Sequence, residues 1–132
     1  MTGFTAKQRQ AIRERDGDMC VICGTTYDLT EHHRAGRGAG GSKKANVLSN
    51  ALHICRRHNG MLEDDKEFIA KGKVYGWKCL RHVLTQPADI AVWYVMEQAW
   101  FLLSDDGSRL RVPEHWQEEL TREAQTQLAA PN

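Results

Sequence analysis

Cys20-Val-Ile-Cys23 and Cys55-Arg-Arg-His58 are the stretches that decide the fold of this chain. Each sets two metal-binding residue types two residues apart, and 31 residues separate one stretch from the other. Thiolates and imidazoles are ligands that zinc prefers, and four of them complete a closed tetrahedral site. The spacing therefore predicts a structural zinc ion, bound by Cys20, Cys23, Cys55 and His58, that joins two distant segments.

Two other interpretations of the cysteines stay open. Cys20 and Cys23 could form a redox pair or lie as free thiols, although nothing nearby indicates a thioredoxin-like βαβ unit. Cys79 is an alternative fourth donor to His58, but its apolar surroundings favour a buried free cysteine. Four cysteines without a signal peptide indicate reduced, metal-bound thiols rather than disulfides.

The charge distribution predicts an anionic partner for the first half of the chain. Residues 1–60 carry ten Lys/Arg and five Asp/Glu, whereas residues 61–132 carry eight and twelve. A polyanion such as DNA fits the basic half, although an acidic C-terminal helix alone would give the same imbalance.

The length of 132 residues suits one compact domain, or one and a half. No apolar run reaches the roughly 18 residues that span a bilayer, so we expect a soluble, cytoplasmic protein without a membrane partner.

The sequence pattern predicts a mixed α+β fold around the metal ligands. Thr5 is a suitable N-cap for a helix that ends near Asp16-Gly17. After this helix we predict, in order, a strand over 27–33, an exposed glycine-rich loop over 34–44, an extended or turn segment over 45–52, a helix from His53 to about Asp64, and a helix over 65–71 that ends at Gly72. Strand, loop, strand and helix across one zinc ion form the predicted core.

A small antiparallel sheet and a helix are predicted in the C-terminal third. Strand-like runs at 89–96 and 99–104 precede Asp106-Gly107, a strong hairpin signal before residues 109–112. Pro113 suits the first turn of a final helix. We therefore expect a C-terminal extension made of a β-hairpin and a helix.

Three segments form one combined pattern: Cys20–Gly24, Glu31–Gly41 and Asn50–Asn59. Together they resemble the HNH endonuclease family, the zinc-stapled branch of the ββα-metal nucleases, and especially its short phage-encoded members. The resemblance implies a ββα-metal domain with a zinc knuckle over residues 1–84, followed by an extension over 85–132. It also implies hydrolysis of DNA phosphodiester bonds.

The same resemblance implies roles for four residues. His33 matches the general base that takes a proton from water, and Asn50 matches the middle residue, which would fix the loop that aims this histidine. Asn59 matches the last residue, as in the HNN variant, and with His32 it would bind a catalytic divalent ion such as Mg²⁺ or Mn²⁺. Adjacent side chains on a strand point to opposite faces, so His32 and His33 reach one phosphate only if the strand bends.

The family's usual Cys-x-x-Cys-His reads Cys55-Arg-Arg-His58-Asn59 in this chain. This departure leaves the register of the second ligand pair open. In one register His58 binds zinc and the next residue binds the catalytic ion; in the other, His58 binds the catalytic ion and zinc loses its fourth donor. We favour the first, because both sites are then complete. Asn46 is a weaker rival to Asn50. Glu31 could replace His32 if the register slips by one, and His32 itself favours softer ions than Mg²⁺.

Basic residues around the predicted site are candidates for DNA contacts. The glycine-rich loop lacks the Gly-Lys-Ser/Thr ending of a nucleotide-binding loop, so close approach to a DNA backbone is the better interpretation. The predicted contacts are Arg34, Arg37, Lys43, Lys44, Arg56 and Arg57.

The function predicted from the sequence is a metal-dependent endonuclease that nicks or cleaves DNA with little sequence preference. It would act as a monomer or homodimer, in the host cytoplasm if a phage encodes it. The alternative is a zinc-stapled DNA-binding module without catalysis, in contact with phage packaging or replication proteins. The same site could also cleave RNA, and a fold alone does not decide among these functions.

Overall fold

The computed structural model describes residues 3–36, 45–80 and 86–129, and it begins with the helix predicted from its N-cap. Helix α1 spans Ala6–Asp16. Thr5 and Gln8 form a capping box in which each side chain accepts a hydrogen bond from the backbone N–H of the other residue. Gly17 ends the helix in the left-handed conformation, with a φ of 74°. Local sequence specifies both ends of this helix, as predicted.

A ββα unit follows α1, and it too was predicted. Strand β1, Leu29–His33, pairs antiparallel with β2, Ala51–Cys55, and helix α2, Arg56–Asp64, starts directly after β2. The predicted helix start at His53 is wrong, because residues 53–55 complete the ladder with β1. Strand β1 begins later than predicted because Asp28 has a positive φ of 56°, which does not fit an extended strand.

Helix α3, Lys66–Tyr75, continues beyond its predicted end at Gly72. A Cβ on Gly72 would lie 2.5 Å from Cδ2 of Leu62, so the missing side chain allows α3 to pack closely on α2. The helix ends instead at Gly76, which has a φ of 77°. A Cβ there would lie 2.0 Å from the carbonyl oxygen of Ala91, so Gly76 also allows the C-terminal part to approach.

The C-terminal part forms a three-stranded antiparallel sheet and a long helix. In spatial order the strands are β3 (Val92–Tyr94), β4 (Ala99–Leu103) and β5 (Arg109–Arg111), and helix α4 spans Glu114–Ala129. The turn between β4 and β5 contains Asp106-Gly107, as predicted. The α+β class, the N-terminal helix, the ββα unit and the hairpin-and-helix extension are therefore confirmed.

One hydrophobic core joins the ββα unit to the extension. It packs buried side chains of β2 against buried side chains of the C-terminal sheet: Leu52, Ile54, Val92, Phe101 and Leu103. Apolar area removed from water on both sides stabilises the two parts together. The predicted boundary near residue 84 therefore separates two parts that share a core.

A buried carboxylate fastens α1 to both sheets. Asp16 accepts two hydrogen bonds from the Arg15 guanidinium, one from the backbone N–H of His53 at 3.0 Å, and one from the Tyr94 hydroxyl at 2.5 Å. The side chains of Arg15 and Asp16 are only 2% and 0% exposed. Burial raises the pKa of Tyr94, so its hydroxyl keeps the proton that it donates.

We expect Asp16→Ala to lower the free energy of unfolding by roughly 3–5 kcal/mol, because the change leaves the buried Arg15 charge without its partner. Chemical denaturation followed by tryptophan fluorescence measures this loss. The matched control is Glu14→Ala on the exposed face of α1, which should change stability by less than roughly 0.5 kcal/mol. Equal effects of the two changes would contradict the importance of the buried carboxylate.

Candidate functional site

Four metal-binding side chains from two separate segments meet at one point. Sulfur atoms of Cys20, Cys23 and Cys55 and a ring nitrogen of His58 all lie within 4.8 Å of one another. The Cys23 and Cys55 sulfurs are 3.9 Å apart, and the Cys55 sulfur is 3.2 Å from Nδ1 of His58. Bonds of about 2.0–2.3 Å to tetrahedral zinc would place such ligands roughly 3.5–3.8 Å apart. The cluster could therefore hold a metal such as zinc.

The turn at Cys20–Gly24 prepares the Cys20 sulfur for a cation. Backbone N–H groups of Cys55, Cys23 and Ile22 point to this sulfur. Gly24 closes the turn with a φ of 76°, and its N–H donates to the Cys20 carbonyl at 2.8 Å. Burial, opposed in part by these three N–H groups, raises the pKa of the Cys20 thiol to about 11. A divalent cation bound here would favour the thiolate form, which the three N–H groups would also stabilise.

His58, rather than Cys79, completes the cluster. His58 lies in the first turn of α2 and stacks on Phe68 with ring centroids 5.3 Å apart. Burial lowers its pKa, so the ring is neutral and can bind a metal. Cys79 is buried elsewhere, with its backbone N–H bonded to the Arg34 carbonyl at 2.9 Å. This arrangement corresponds to the first of the two registers, with His58 beside the cysteines.

The next residue of α2, Asn59, faces β1 rather than the cluster. Its Oδ1 is 2.9 Å from Nδ1 of His32, and Nε2 of His32 is 2.9 Å from the carbonyl oxygen of Trp77. A carbonyl oxygen only accepts, so Nε2 carries the hydrogen and Nδ1 presents its lone pair. Burial lowers the pKa of His32 to about 4, so the ring stays neutral near neutral pH.

Two acceptor atoms therefore face each other between His32 and Asn59. Turning the amide over would make Asn59 a donor to Nδ1; with the oxygen in place, a cation bound by both atoms satisfies them. Ligands at right angles on an ion with bonds of about 2.1 Å stand about 3.0 Å apart, close to the spacing of this pair. A metal-binding imidazole usually donates its other N–H to a carbonyl or carboxylate, as His32 does to Trp77. The pair thus has the donor chemistry of a divalent-ion site.

The side chain of His33 lies on the face of β1 opposite to that of His32. The β1–β2 ladder stays in register as far as His33, so no bend within the strand turns both imidazoles to one side. Nε2 of His33 is 2.8 Å from Oδ1 of Asn46, and its ring stacks on Phe4 with centroids 4.6 Å apart and planes at 16°. The structure therefore brings His32 to Asn59 and His33 to Asn46, as two pairs on opposite sides of the strand.

Asn50 holds the chain that follows His33. Its Oδ1 accepts from the Ala35 N–H at 2.8 Å, and its Nδ2 donates to the carbonyls of Ala35 and Ala45, both at 3.0 Å. The backbone carbonyl of Asn50 accepts from the Arg34 N–H at 2.8 Å. These are the bonds of a residue that fixes a loop, which is the task expected of Asn50. Its contribution to catalysis stays a prediction.

The prediction that Arg34 contacts DNA is wrong. Its guanidinium is 0% exposed and donates to four backbone carbonyls at 2.8–2.9 Å, those of Gly76, Ser49, Pro87 and Ile90. These bonds tie the end of β1 to the C-terminal part of the chain. A residue buried in this way cannot reach a phosphate.

The other predicted DNA contacts divide into two groups. Arg37, Lys43 and Lys44 lie outside the described residues. Arg56 and Arg57 are exposed at the start of α2, and Arg56 takes part in an exposed ion pair with Asp28 at 2.9 Å. An exposed pair of this kind contributes little stability and exchanges easily with a phosphate.

Three groups that contact His32 or His33 were not identified from the sequence or were ranked too low. The Trp77 carbonyl gives no sequence signal, since every residue carries one. Phe4 gives a weak signal, because an apolar residue before an N-cap often packs against its surroundings. Asn46, ranked below Asn50, is the asparagine that contacts His33.

Glu31, which the sequence offered as a possible substitute for His32, lies on the opposite face of β1 from His32.

No family model matches this sequence, and no match was found among the curated proteins or the solved structures. Within the described ranges, no helix is long and apolar enough to cross a membrane. The features that bear on function are therefore the four-residue cluster and the His32–Asn59 pair.

We expect the purified protein to hold a tightly bound metal ion such as zinc, and to lose thermal stability when a chelator removes it, because metal binding adds to folding free energy. Elemental mass spectrometry and calorimetry measure the two effects. Cys55→Ser should lose the metal, whereas Cys79→Ala, outside the cluster, should keep it. Metal retained by Cys55→Ser and lost by Cys79→Ala would contradict the assignment.

Proposed function

We propose that this protein is a metal-dependent endonuclease of the HNH type that hydrolyses phosphodiester bonds of DNA. The observation that carries this proposal is the 2.9 Å approach of Nδ1 of a neutral His32 to Oδ1 of Asn59, beside a cluster suited to zinc. Binding alone requires no such pair of facing acceptors. A structural zinc ion would join the turn that precedes β1, the strand of His32, to the start of α2, the helix of Asn59.

The proposed chemistry divides among three side chains. His32 and Asn59 would hold a divalent ion, and when bound this ion offsets negative charge on the phosphate and the leaving oxygen. The amide oxygen suits Mg²⁺ or Mn²⁺, and the imidazole shifts the preference toward Mn²⁺. His33 would take the proton from the attacking water, since imidazole titrates near neutral pH.

The placement of the substrate follows from the position of His33 as the last residue of β1. The bend expected from the sequence is absent, because the β1–β2 ladder stays regular as far as His33. We therefore place the phosphodiester over the end of the strand rather than on one of its faces, so that His32 borders it on one side and His33 on the other. The exposed Arg56 and Arg57, at the start of the helix that carries Asn59, suit contacts with neighbouring phosphates.

A second candidate function is a zinc-stapled DNA-binding module without catalysis. One observation favours it: with its amide turned over, Asn59 donates to His32, and the pair is then satisfied without a cation. This function predicts retention of DNA without cleavage in any metal. Contact with phage packaging proteins would be part of this second function, and no observation beyond it supports such contact.

We expect His33→Ala to slow cutting of supercoiled plasmid by roughly 10²–10⁴-fold in Mg²⁺ or Mn²⁺, because the general base is lost. Gel electrophoresis of nicked and linear forms follows the rate. The control is His115→Ala on the exposed surface of α4, which should cut normally. Full cutting by His33→Ala would refute the assignment, and faster cleavage of RNA than of DNA would change the substrate class.

Mn²⁺ binding should separate the two histidines. We expect His32→Ala and Asn59→Ala to weaken binding of Mn²⁺ to the zinc-loaded protein, because each change removes one of the ion's two protein ligands. His33→Ala should bind Mn²⁺ normally. Electron paramagnetic resonance of free Mn²⁺ gives the affinity of each variant. Unchanged Mn²⁺ affinity in both His32→Ala and Asn59→Ala would contradict the site.

A further inference from the structure

Two of the residues that the structure describes contact His33 from outside the proposed ion site. Its Nε2 is 2.8 Å from Oδ1 of Asn46, and its ring lies nearly parallel to that of Phe4, with centroids 4.6 Å apart. The hydrogen bond fixes the direction of the ring, and the stacked ring fixes its plane. Phe4 is 3% exposed and packs with Ile12 and Ala51, so its own position is fixed by the core.

The Asn46 oxygen also selects one tautomer of His33. With the Asn46 oxygen toward the ring, Nε2 carries the hydrogen in a neutral ring and Nδ1 is the nitrogen with the lone pair; the amide turned over would select the other tautomer. A general base needs this lone pair at a defined atom, because the second nitrogen cannot replace the first without a rotation of the ring.

Helix α1 anchors both of these residues. The Gln8 side chain, already part of the capping box, donates from Nε2 to the Asn46 carbonyl at 2.8 Å. The Arg9 guanidinium donates to the Phe4 carbonyl at 3.0 Å. The first turn of α1 therefore fixes the backbone that presents Asn46 and the backbone that presents Phe4.

We propose that Asn46 and Phe4 are positioning residues for His33, so that the first turn of α1 forms part of the active site. Asn46 holds the tautomer with hydrogen on Nε2, and Phe4 holds the plane of the ring. The inference rests on the proposed function for its catalytic consequence. The tautomer of His33, however, can be measured in a protein that cuts nothing.

The first experiment measures the tautomer. Long-range ¹H–¹⁵N spectra of the zinc-loaded protein distinguish the two neutral forms of His33. We expect the form with hydrogen on Nε2 in the wild type and in Asn46→Asp, whose carboxylate accepts the same bond. We expect Asn46→Ala to show a mixture of tautomers. The same single tautomer in Asn46→Ala would overturn the assignment of Asn46.

The second experiment measures plasmid cutting. Asn46→Ala should lower kcat by about 10–100-fold with little change in KM, since a misplaced base slows the chemical step without weakening DNA binding. Asn46→Asp should recover most of this loss. Phe4→Leu keeps an apolar side chain and removes the ring face, so it should lower kcat while the zinc content stays normal.

The outcomes separate the two proposals. If the wild type cuts no DNA but Asn46→Ala scrambles the tautomer, the proposed function fails and the positioning of His33 stands. If the wild type cuts, and Asn46→Ala and Phe4→Leu cut equally fast with normal zinc content, the positioning roles are refuted and the nuclease assignment stands. A fall in kcat matched by an equal loss of zinc would show only unfolding and would count against the inference.

Discussion

The meeting of Cys20 and Cys23 with Cys55 and His58 is the constraint on which the rest of the molecule depends. The donor atoms come from a turn and from the start of a helix, and they lie within 4.8 Å of one another. This meeting fixes where α2 begins relative to β1. Since neighbouring residues on a helix point about 100° apart, a His58 that faces the cysteines turns Asn59 away from them. The position of His58 in the cluster therefore also determines that Asn59 faces His32.

Arg34 imposes the second constraint. Burial lowers its pKa to about 10, so it remains charged near neutral pH. A buried charge is costly unless hydrogen bonds satisfy it, and four carbonyl oxygens do so here. Two of these belong to Pro87 and Ile90 of the extension. The extension therefore belongs to the structure that holds the end of β1, and it is more than a surface added to the ββα unit.

The two histidines show how one strand can serve two environments. Alternation along β1 sends His32 toward α2 and Trp77, and His33 toward α1 and Phe4. The Trp77 carbonyl can only accept, so it holds His32 in one tautomer, and in the proposed arrangement the Asn46 oxygen does the same for His33. Two fixed imidazoles on opposite faces of one strand end are consistent with separate tasks for them, one binding an ion and the other moving a proton.

The sequence by itself determined the features that neighbouring residues encode. The spacing of the cysteines and His58, the capping box of α1, the turn at Asp106-Gly107 and the order of the elements were all predictable. Each depends on residues a few positions apart or on a ligand pattern with few alternatives.

Only the tertiary structure decided which groups are buried and which carbonyls they meet. Arg34 looked like a DNA contact because its neighbours are basic and glycine-rich, but its partners lie 15 to 56 residues away along the chain. Gly72 looked like a helix end, yet it serves the packing of α3 against Leu62. The pairing of His33 with Asn46 rather than Asn50 depends on where α1 holds the loop. Backbone acceptors are the same at every residue, so their position in space, and not the sequence, selects the side chains that they bind.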